Sequence, residues 1–235
     1  MNDAVALVTG GAGNVGRAVT RAFLKKGARV AVPFYRTDQP QALEPLVQEY
    51  GDRLHKFALD LTTERGAEQA VRQVVEWAGR LDMVAHMVGG YSGGARLADT
   101  PVETWDRMID LNLKSAWLVA RFAIPKMLEH GGGSFVFVSS RAALQDRSGH
   151  GGYAVAKAGI ITLAQVIAEE YGQEGIRANA VLPGTIDTEA NRRSMPAAKH
   201  TRWTAPEEIA EVIAFLASPS ASAVNGAAVP VYGRS

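Results

Sequence analysis

The sequence predicts a doubly wound α/β fold, with about seven parallel strands and helices on both faces. Three observations predict it. Short apolar runs recur along the chain, several of them continuous rather than alternating, as in strands buried on both faces. Stretches with helical spacing fill the gaps between them. A glycine-rich turn stands between the first run and the first helical stretch.

The runs cover residues 4–9, 29–34, 54–59, 83–88, 134–139, 178–182 and 227–231. After the first, Val15, Ala18, Val19, Ala22 and Phe23 repeat at three and four residues, and Gly27 follows as a terminator. Val71, Val74, Val75 and Ala78 repeat the pattern. Pro101 is expected to open a helix capped by Thr100. Pro206, with Glu207 and Glu208 behind it, opens another after Thr204 or Ala205. Further helical stretches lie around 112–130 and 153–171. Such alternation means βαβ units with right-handed crossovers. Residues 1–235 read as one domain, with no linker, repeat or low-complexity tract.

Composition narrows the function. Lys plus Arg is 25 and Asp plus Glu is 24, a net charge of +1, which makes no electrostatic case for nucleic acid or an anionic membrane. With no Cys and five scattered His, no metal site is expected and thiol catalysis is excluded. The absence of Cys fits a reducing compartment, so a cytoplasmic location is the expectation. No run approaches 18 apolar residues, so no membrane span is expected, and the N-terminus lacks the features of a signal peptide.

The first run ends in Thr9-Gly10-Gly11-Ala12-Gly13-Asn14-Val15-Gly16. Glycines there permit a tight turn and let backbone N–H groups approach a pyrophosphate at a helix N-terminus. Selection between the two nicotinamide dinucleotides falls to the end of the second run. A carboxylate there would bind the ribose 2′-OH. The chain has Phe34-Tyr35-Arg36 instead, and Arg36 suits a phosphate, which favours NADP(H) with NAD(H) the alternative. Asp60 and Leu61, at the end of the third run, are candidates to reach the adenine.

Tyr153 and Lys157 lie four apart in a helical stretch and so share a face. An ammonium beside a phenol lowers its ordinary pKa of about 10, which suits proton exchange with a carbonyl oxygen. Ser140 ends the fifth run, Asn112 lies in Leu111-Asn112-Leu113-Lys114, and Pro183-Gly184 ends the sixth.

Together these residues resemble the short-chain dehydrogenase/reductase family over essentially the whole chain. The family's Thr-Gly-x-x-x-Gly-x-Gly motif matches at Thr9, Gly10 and Gly16. Asn14 replaces its middle glycine, with Gly13 alongside, and Asn tolerates left-handed geometry best after Gly. The resemblance implies that Tyr153 is the proton donor or acceptor and that Ser140 bonds the substrate oxygen. It also implies that Lys157 lowers the tyrosine pKa and holds the nicotinamide ribose, while Asn112 supports a water leading to Lys157. Pro183, Gly184, Ile186 and Thr188 would lie by the nicotinamide carboxamide. Where the family has Asn-Asn-Ala-Gly, this chain has His86-Met87-Val88-Gly89, followed by Gly90. His86 reads as a satisfied strand-end histidine or as a replacement for the asparagine's hydrogen bonds. Gly89 and Gly90 leave room for the backbone near the adenine ribose.

Two loops resemble those of quinonoid dihydropteridine reductases: residues 89–94, and residues 185–196 with Arg202-Trp203-Thr204. Those enzymes generally carry an acidic residue where Phe34 stands and lack a serine at the Ser140 position. The segment 184–206 is short for the family, so an open substrate site without a long helical lid is expected, lined by Tyr91, Met195 and Trp203. The resemblance implies a reductase of a small carbonyl compound, or a dehydrogenase of the alcohol. A pterin reductase is the alternative, and a dinucleotide-sensing module without chemistry is a remote one. It also implies a homotetramer, with a dimer next. Ile160, Ile161, Leu163, Ala164 and Ile167 exceed what one helix face needs, which is compatible with an interface.

Overall fold

The computed structural model describes residues 1–35 and 40–234. Seven strands form one parallel sheet: β1 (Val5–Thr9), β2 (Arg29–Phe34), β3 (Leu54–Ala58), β4 (Met83–His86), β5 (Gly133–Val138), β6 (Ile176–Pro183) and β7 (Ala228–Val231). Their order is β3-β2-β1-β4-β5-β6-β7. Each expected run matches one strand, with ends that differ by at most two residues. Pro33 sits in interior strand β2, where a missing N–H would normally break a ladder. Pairing of β2 with β1 ends at Ala31, so Pro33 lies beyond it and is paired only with β3.

The helices are α1 (Asn14–Lys25), α2 (Glu44–Tyr50), α3 (Glu64–Ala78), α4 (Val102–Ile109), α5 (Ser115–Leu128), α6 (Gly151–Tyr171), α7 (Glu189–Ser194) and α8 (Pro206–Ala217). They bury two apolar layers. Val19, Phe23 and Ile213 pack on one face of the sheet, and Val71, Val74, Ala120 and Ile160 on the other. Gly27 stops α1 in the left-handed region, at φ +89°. Ala205 rather than Thr204 precedes α8, and its N–H donates to the Glu208 carboxylate at 2.8 Å. Helix α4 starts one residue later than expected. Thr100 does not cap it, because its hydroxyl donates to the Arg96 carbonyl at 3.1 Å and closes the preceding turn.

By length and composition alone α6 could cross a membrane, a possibility the search for continuous apolar runs did not raise. Its apolar residues serve the core instead. Ile160, Ile161, Ala164 and Ile167 are buried against the chain's own sheet, and the helix carries a buried Lys157. Burial of the three isoleucines, each worth about 1.5–3 kcal/mol, means that they and Ala164 are not the excess that suggested an interface, while Leu163 is half-buried against the same core. On α5 and α6 the large apolar side chains left exposed are Trp117, Val155 and Val166.

Candidate active site

The chain runs from β3 at one edge back to β4 beside β1, so the direction of strand addition reverses between β1 and β4. Crevices form at the carboxyl ends of strands at such a point. Here the segments after β1, β4, β5 and β6 enclose a cleft of about 260 Å³. Ser140, Tyr153, Lys157 and Asn112 all border it, as do Val15, Gly89, Gly90, Tyr91, Pro183, Gly184 and Ile186.

Tyr153 and Lys157 enter from the first two turns of α6. The Lys157 ammonium lies 5.8 Å from the Tyr153 ring centre and donates to the Val138 carbonyl at 2.9 Å. Its own backbone carbonyl accepts from the Ser139 hydroxyl at 2.6 Å, which ties α6 to the end of β5. Burial pulls the Lys157 pKa down to about 8. The expectation that Lys157 depresses the tyrosine pKa is not met in this structure. Burial raises the Tyr153 pKa above its ordinary value; a hydrogen bond from Ser140 opposes the rise, and Tyr91 adds to it. The cause is burial: the cleft withholds water from the phenol, which disfavours its charged form.

Asn112 is fully buried in a single π-helical turn, Asp110–Lys114, between α4 and α5. Such turns are rare and frequently mark functional sites. The Asn112 amide donates to the Gly90 and Met108 carbonyls at 3.0 Å each, and its oxygen accepts the Gly90 N–H at 3.2 Å. A Cβ on Gly89 would lie 2.6 Å from that oxygen and 3.2 Å from the Lys157 nitrogen. Gly89 thus makes room for these two side chains, a role the sequence alone did not suggest.

The glycine turn closes with Gly13 N–H donating to the Gly10 carbonyl at 3.0 Å. Gly10, at φ +66°, takes the left-handed position. Asn14 does not, contrary to expectation: it is the first residue of α1, and its side-chain oxygen accepts from Arg17 at 3.2 Å. Gly16 faces the turn so closely that a Cβ would sit 2.0 Å from the Gly10 carbonyl oxygen. Among the described residues no side chain caps α1, and no acid stands in its first turn, so its leading N–H groups are available to an anion. This uncapped cradle, opening beside Val15 on the cleft, fits a dinucleotide.

Thr188, Met195 and Trp203 do not border this cleft, and Asp60 and Leu61, expected by the adenine, have partners of their own. The Thr188 hydroxyl caps α7, accepting from Asn191 N–H at 3.2 Å. Asp60 binds the Thr62 N–H and hydroxyl at 2.9 and 2.7 Å, and Leu61 is buried in the core. Trp203 packs on His200 with ring centres 4.5 Å apart, and the His200 Nε2 contacts the Met195 carbonyl at 2.9 Å. The loop therefore folds on itself, and neither Met195 nor Trp203 borders the cleft. Tyr91 does, packed edge-on against Tyr153 at 5.2 Å. Arg36, on which dinucleotide choice rests, lies outside the described residues.

Two partners escaped the sequence reading. The Val138 carbonyl holding Lys157 is backbone and leaves no sequence signal. His150 packs under Tyr91 at 5.4 Å, with its Nδ1 buried and unpartnered among the described residues. His86, read from the sequence as a satisfied strand-end histidine, is buried at the end of β4 between Thr9 and Ser115.

Comparison with known proteins agrees with this geometry. The profile of the family described as Enoyl-(Acyl carrier protein) reductase matches residues 10–233. A 3-oxoacyl-[acyl-carrier-protein] reductase of Thermotoga maritima is 32% identical, covering 97% of this chain and 96% of its own. The structure of a short-chain type dehydrogenase/reductase from Mycobacterium ulcerans superposes with a TM-score of 0.94 at 30% identity, covering 100% of this chain and 90% of that one. A blue fluorescent protein from a metagenomic library, in complex with NADPH, gives 0.90 at 27% identity, covering 99% and 97%. With a family profile matched over residues 10–233 and relatives and solved structures of 30% identity or more that match almost from end to end, the chain belongs to the short-chain dehydrogenase/reductase family of oxidoreductases.

Proposed function

We propose that this enzyme reduces a small carbonyl compound, with NADP(H) favoured over NAD(H), and that Tyr153 carries the proton. The observation that carries the reading is the meeting of Ser140, Tyr153, Lys157 and Asn112 on one cleft beside an uncapped glycine cradle. The same meeting makes a chemistry-free sensing role the weaker reading. When bound, the nicotinamide supplies the hydride. Ser140 hydrogen-bonds the substrate oxygen and orients it towards Tyr153. Tyr153, a phenol protonated at neutral pH whose pKa burial raises further, gives that oxygen its proton. Lys157, held by the Val138 carbonyl at the edge of the cleft, is placed to bind the nicotinamide ribose, and Asn112 holds the Gly90 backbone that floors the cleft.

Tyr91 favours a second reading. It comes from one of the two loops that resemble dihydropteridine reductases, and its exposed ring beside Tyr153 suits a flat heterocycle. The deciding experiment follows loss of NADPH and NADH absorbance with an oxidised dihydropterin, ketones, dicarbonyls and acyl thioesters. Tyr153-dependent consumption with the pterin makes the enzyme a pterin reductase. Consumption only with the other acceptors retires that reading, and the faster nucleotide decides the preference. Consumption with none, despite nucleotide binding, overturns the carbonyl reading.

The Lys157 shift gives a pH dependence. The ammonium persists in the fold below about 8, and the phenol stays protonated there. Carbonyl reduction is expected to be level near neutrality and to fall as pH rises through about 8. Lys157→Met should be slow at every pH and lack that descending limb in kcat/KM. The same shift acts on stability. The unfolded chain holds the lysine proton to about 10.5. Between about 8 and 10.5 it therefore binds more protons than the folded chain, and stability gains with rising pH.

Assembly is proposed through the α5 and α6 faces, whose exposed Trp117, Val155 and Val166 suit a second copy of the chain. A tetramer is favoured and a dimer comes next. Light scattering should give a multiple of the chain mass, and the mass of a single chain would refute both.

A further inference from the structure

We propose that His86 is a positioning residue: acting through Ser115, it holds the π-helical turn that presents Asn112 and ties that turn to the end of β1. The proposal rests on the reading of Asn112 as part of the catalytic apparatus.

In an α-helix the Ser115 N–H would donate to Leu111, four residues back. Here it donates to the Asp110 carbonyl, five back. The Leu111 carbonyl passed over is taken by the Ser115 hydroxyl at 2.8 Å. Met108, also four residues behind its partner, is taken by the Asn112 amide. Two side chains thus satisfy carbonyls in a turn that departs from α winding, and one of them is Asn112 itself.

The hydrogen-bond directions around His86 follow from this. The Ser115 proton points to Leu111, so the 3.2 Å contact between Ser115 Oγ and His86 Nε2 requires the histidine to donate. With Nε2 protonated, Nδ1 accepts from the Thr9 hydroxyl at 3.0 Å. Thr9 Oγ1 in turn accepts the Met87 N–H at 3.2 Å. The chain of donors closes with one neutral tautomer. It joins the last residue of β1, where the glycine cradle begins, to the last residue of β4 and to the turn that carries Asn112. The ring is 2% exposed, so no water stands in for a lost partner. Relaxing the turn to α winding would remove one residue from it and change the register of Asn112 against Gly90, since each helical residue turns by about 100°.

The test compares His86→Phe, Ser115→Ala, their double mutant and Asn112→Ala, with kcat, reduced-nucleotide binding by fluorescence, thermal melting and the 15N shifts of the His86 ring as readouts. Each of the first two is expected to lower kcat by roughly 10- to 100-fold, as small misplacements of catalytic groups do. The double mutant should be no slower than the worse single, because both break one chain. Nucleotide affinity should stay within about twofold, a split that mere loss of stability would not produce. The ring nitrogens of the wild type should report a neutral Nε2–H tautomer. Wild-type kcat in folded His86→Phe overturns the proposal even if its melting temperature falls, and so does an Nδ1–H tautomer. If His86→Phe does not fold, Ser115→Ala decides the kinetics alone, and wild-type kcat there overturns the proposal. Wild-type kcat in Asn112→Ala instead overturns the catalytic reading beneath it.

Discussion

Tyr153→Phe is expected to lower turnover by about 10²–10⁴-fold, the usual contribution of a positioned general acid, while reduced-nucleotide binding persists. The substitution removes one oxygen and leaves the ring. The ring's edge-on contact with Tyr91 at 5.2 Å therefore survives, as does the apolar wall it gives the cleft. Because the phenol is buried and its pKa raised, its removal takes away a proton donor rather than a charge. The loss should appear equally in kcat and kcat/KM, the pattern of an interaction made only in the transition state. Steady-state kinetics on the best acceptor, with nucleotide titration in parallel, checks it. Turnover within about tenfold of wild type would remove Tyr153 from the mechanism.

The second large effect is expected at the glycine cradle. An alanine at Gly16 would place its Cβ 2.0 Å from the Gly10 carbonyl oxygen and 2.6 Å from the Gly11 Cα. Both obstacles are backbone, so the turn itself must move. Overpacking of this kind costs about 1–3 kcal/mol. At about 1.4 kcal/mol per tenfold, nucleotide affinity should fall by about one to two orders of magnitude if the strain falls on the bound turn. Gly13 makes the control. Its added Cβ meets only the Gly10 oxygen, at 3.3 Å, so Gly13→Ala should perturb less. Titration and thermal melting of the pair check the ordering, and equal effects would contradict it.

The two halves of the site were unequally legible in the sequence. Strand positions were readable because buried parallel strands write themselves as continuous apolar runs, and the catalytic side chains were readable because their spacing is local, as with Tyr153 and Lys157. What the sequence hid depends on long-range contact. The fall of Lys157 to about 8 comes from burial, and its partner is a backbone carbonyl nineteen residues away. Asn14 misled because the left-handed residue of the turn is Gly10, four positions earlier. Helices α2 and α7, of seven and six residues, are too short for an apolar period to stand out. Met195 and Trp203 were expected in the cleft because they lie in the right loop, but His200 gathers that loop onto itself.

That loop has a consequence for selectivity. Its base is fastened: the Asp187 N–H donates to the Thr204 carbonyl at 2.8 Å, and the Thr204 N–H donates to the Thr185 carbonyl at 3.2 Å. Arg192 grips the Asp187 carboxylate through two bonds of 2.5 and 2.7 Å. Enzymes that fold a long flap over their substrate can make closure depend on the correct one and so reject impostors after they bind. For the proposed reductase, a six-residue helix on a fastened base offers no such second inspection. Discrimination must then be made by the few side chains that touch the reacting molecule, Tyr91 foremost. A single change there should redirect preference among acceptors more readily than in an enzyme whose selectivity is shared with a moving part.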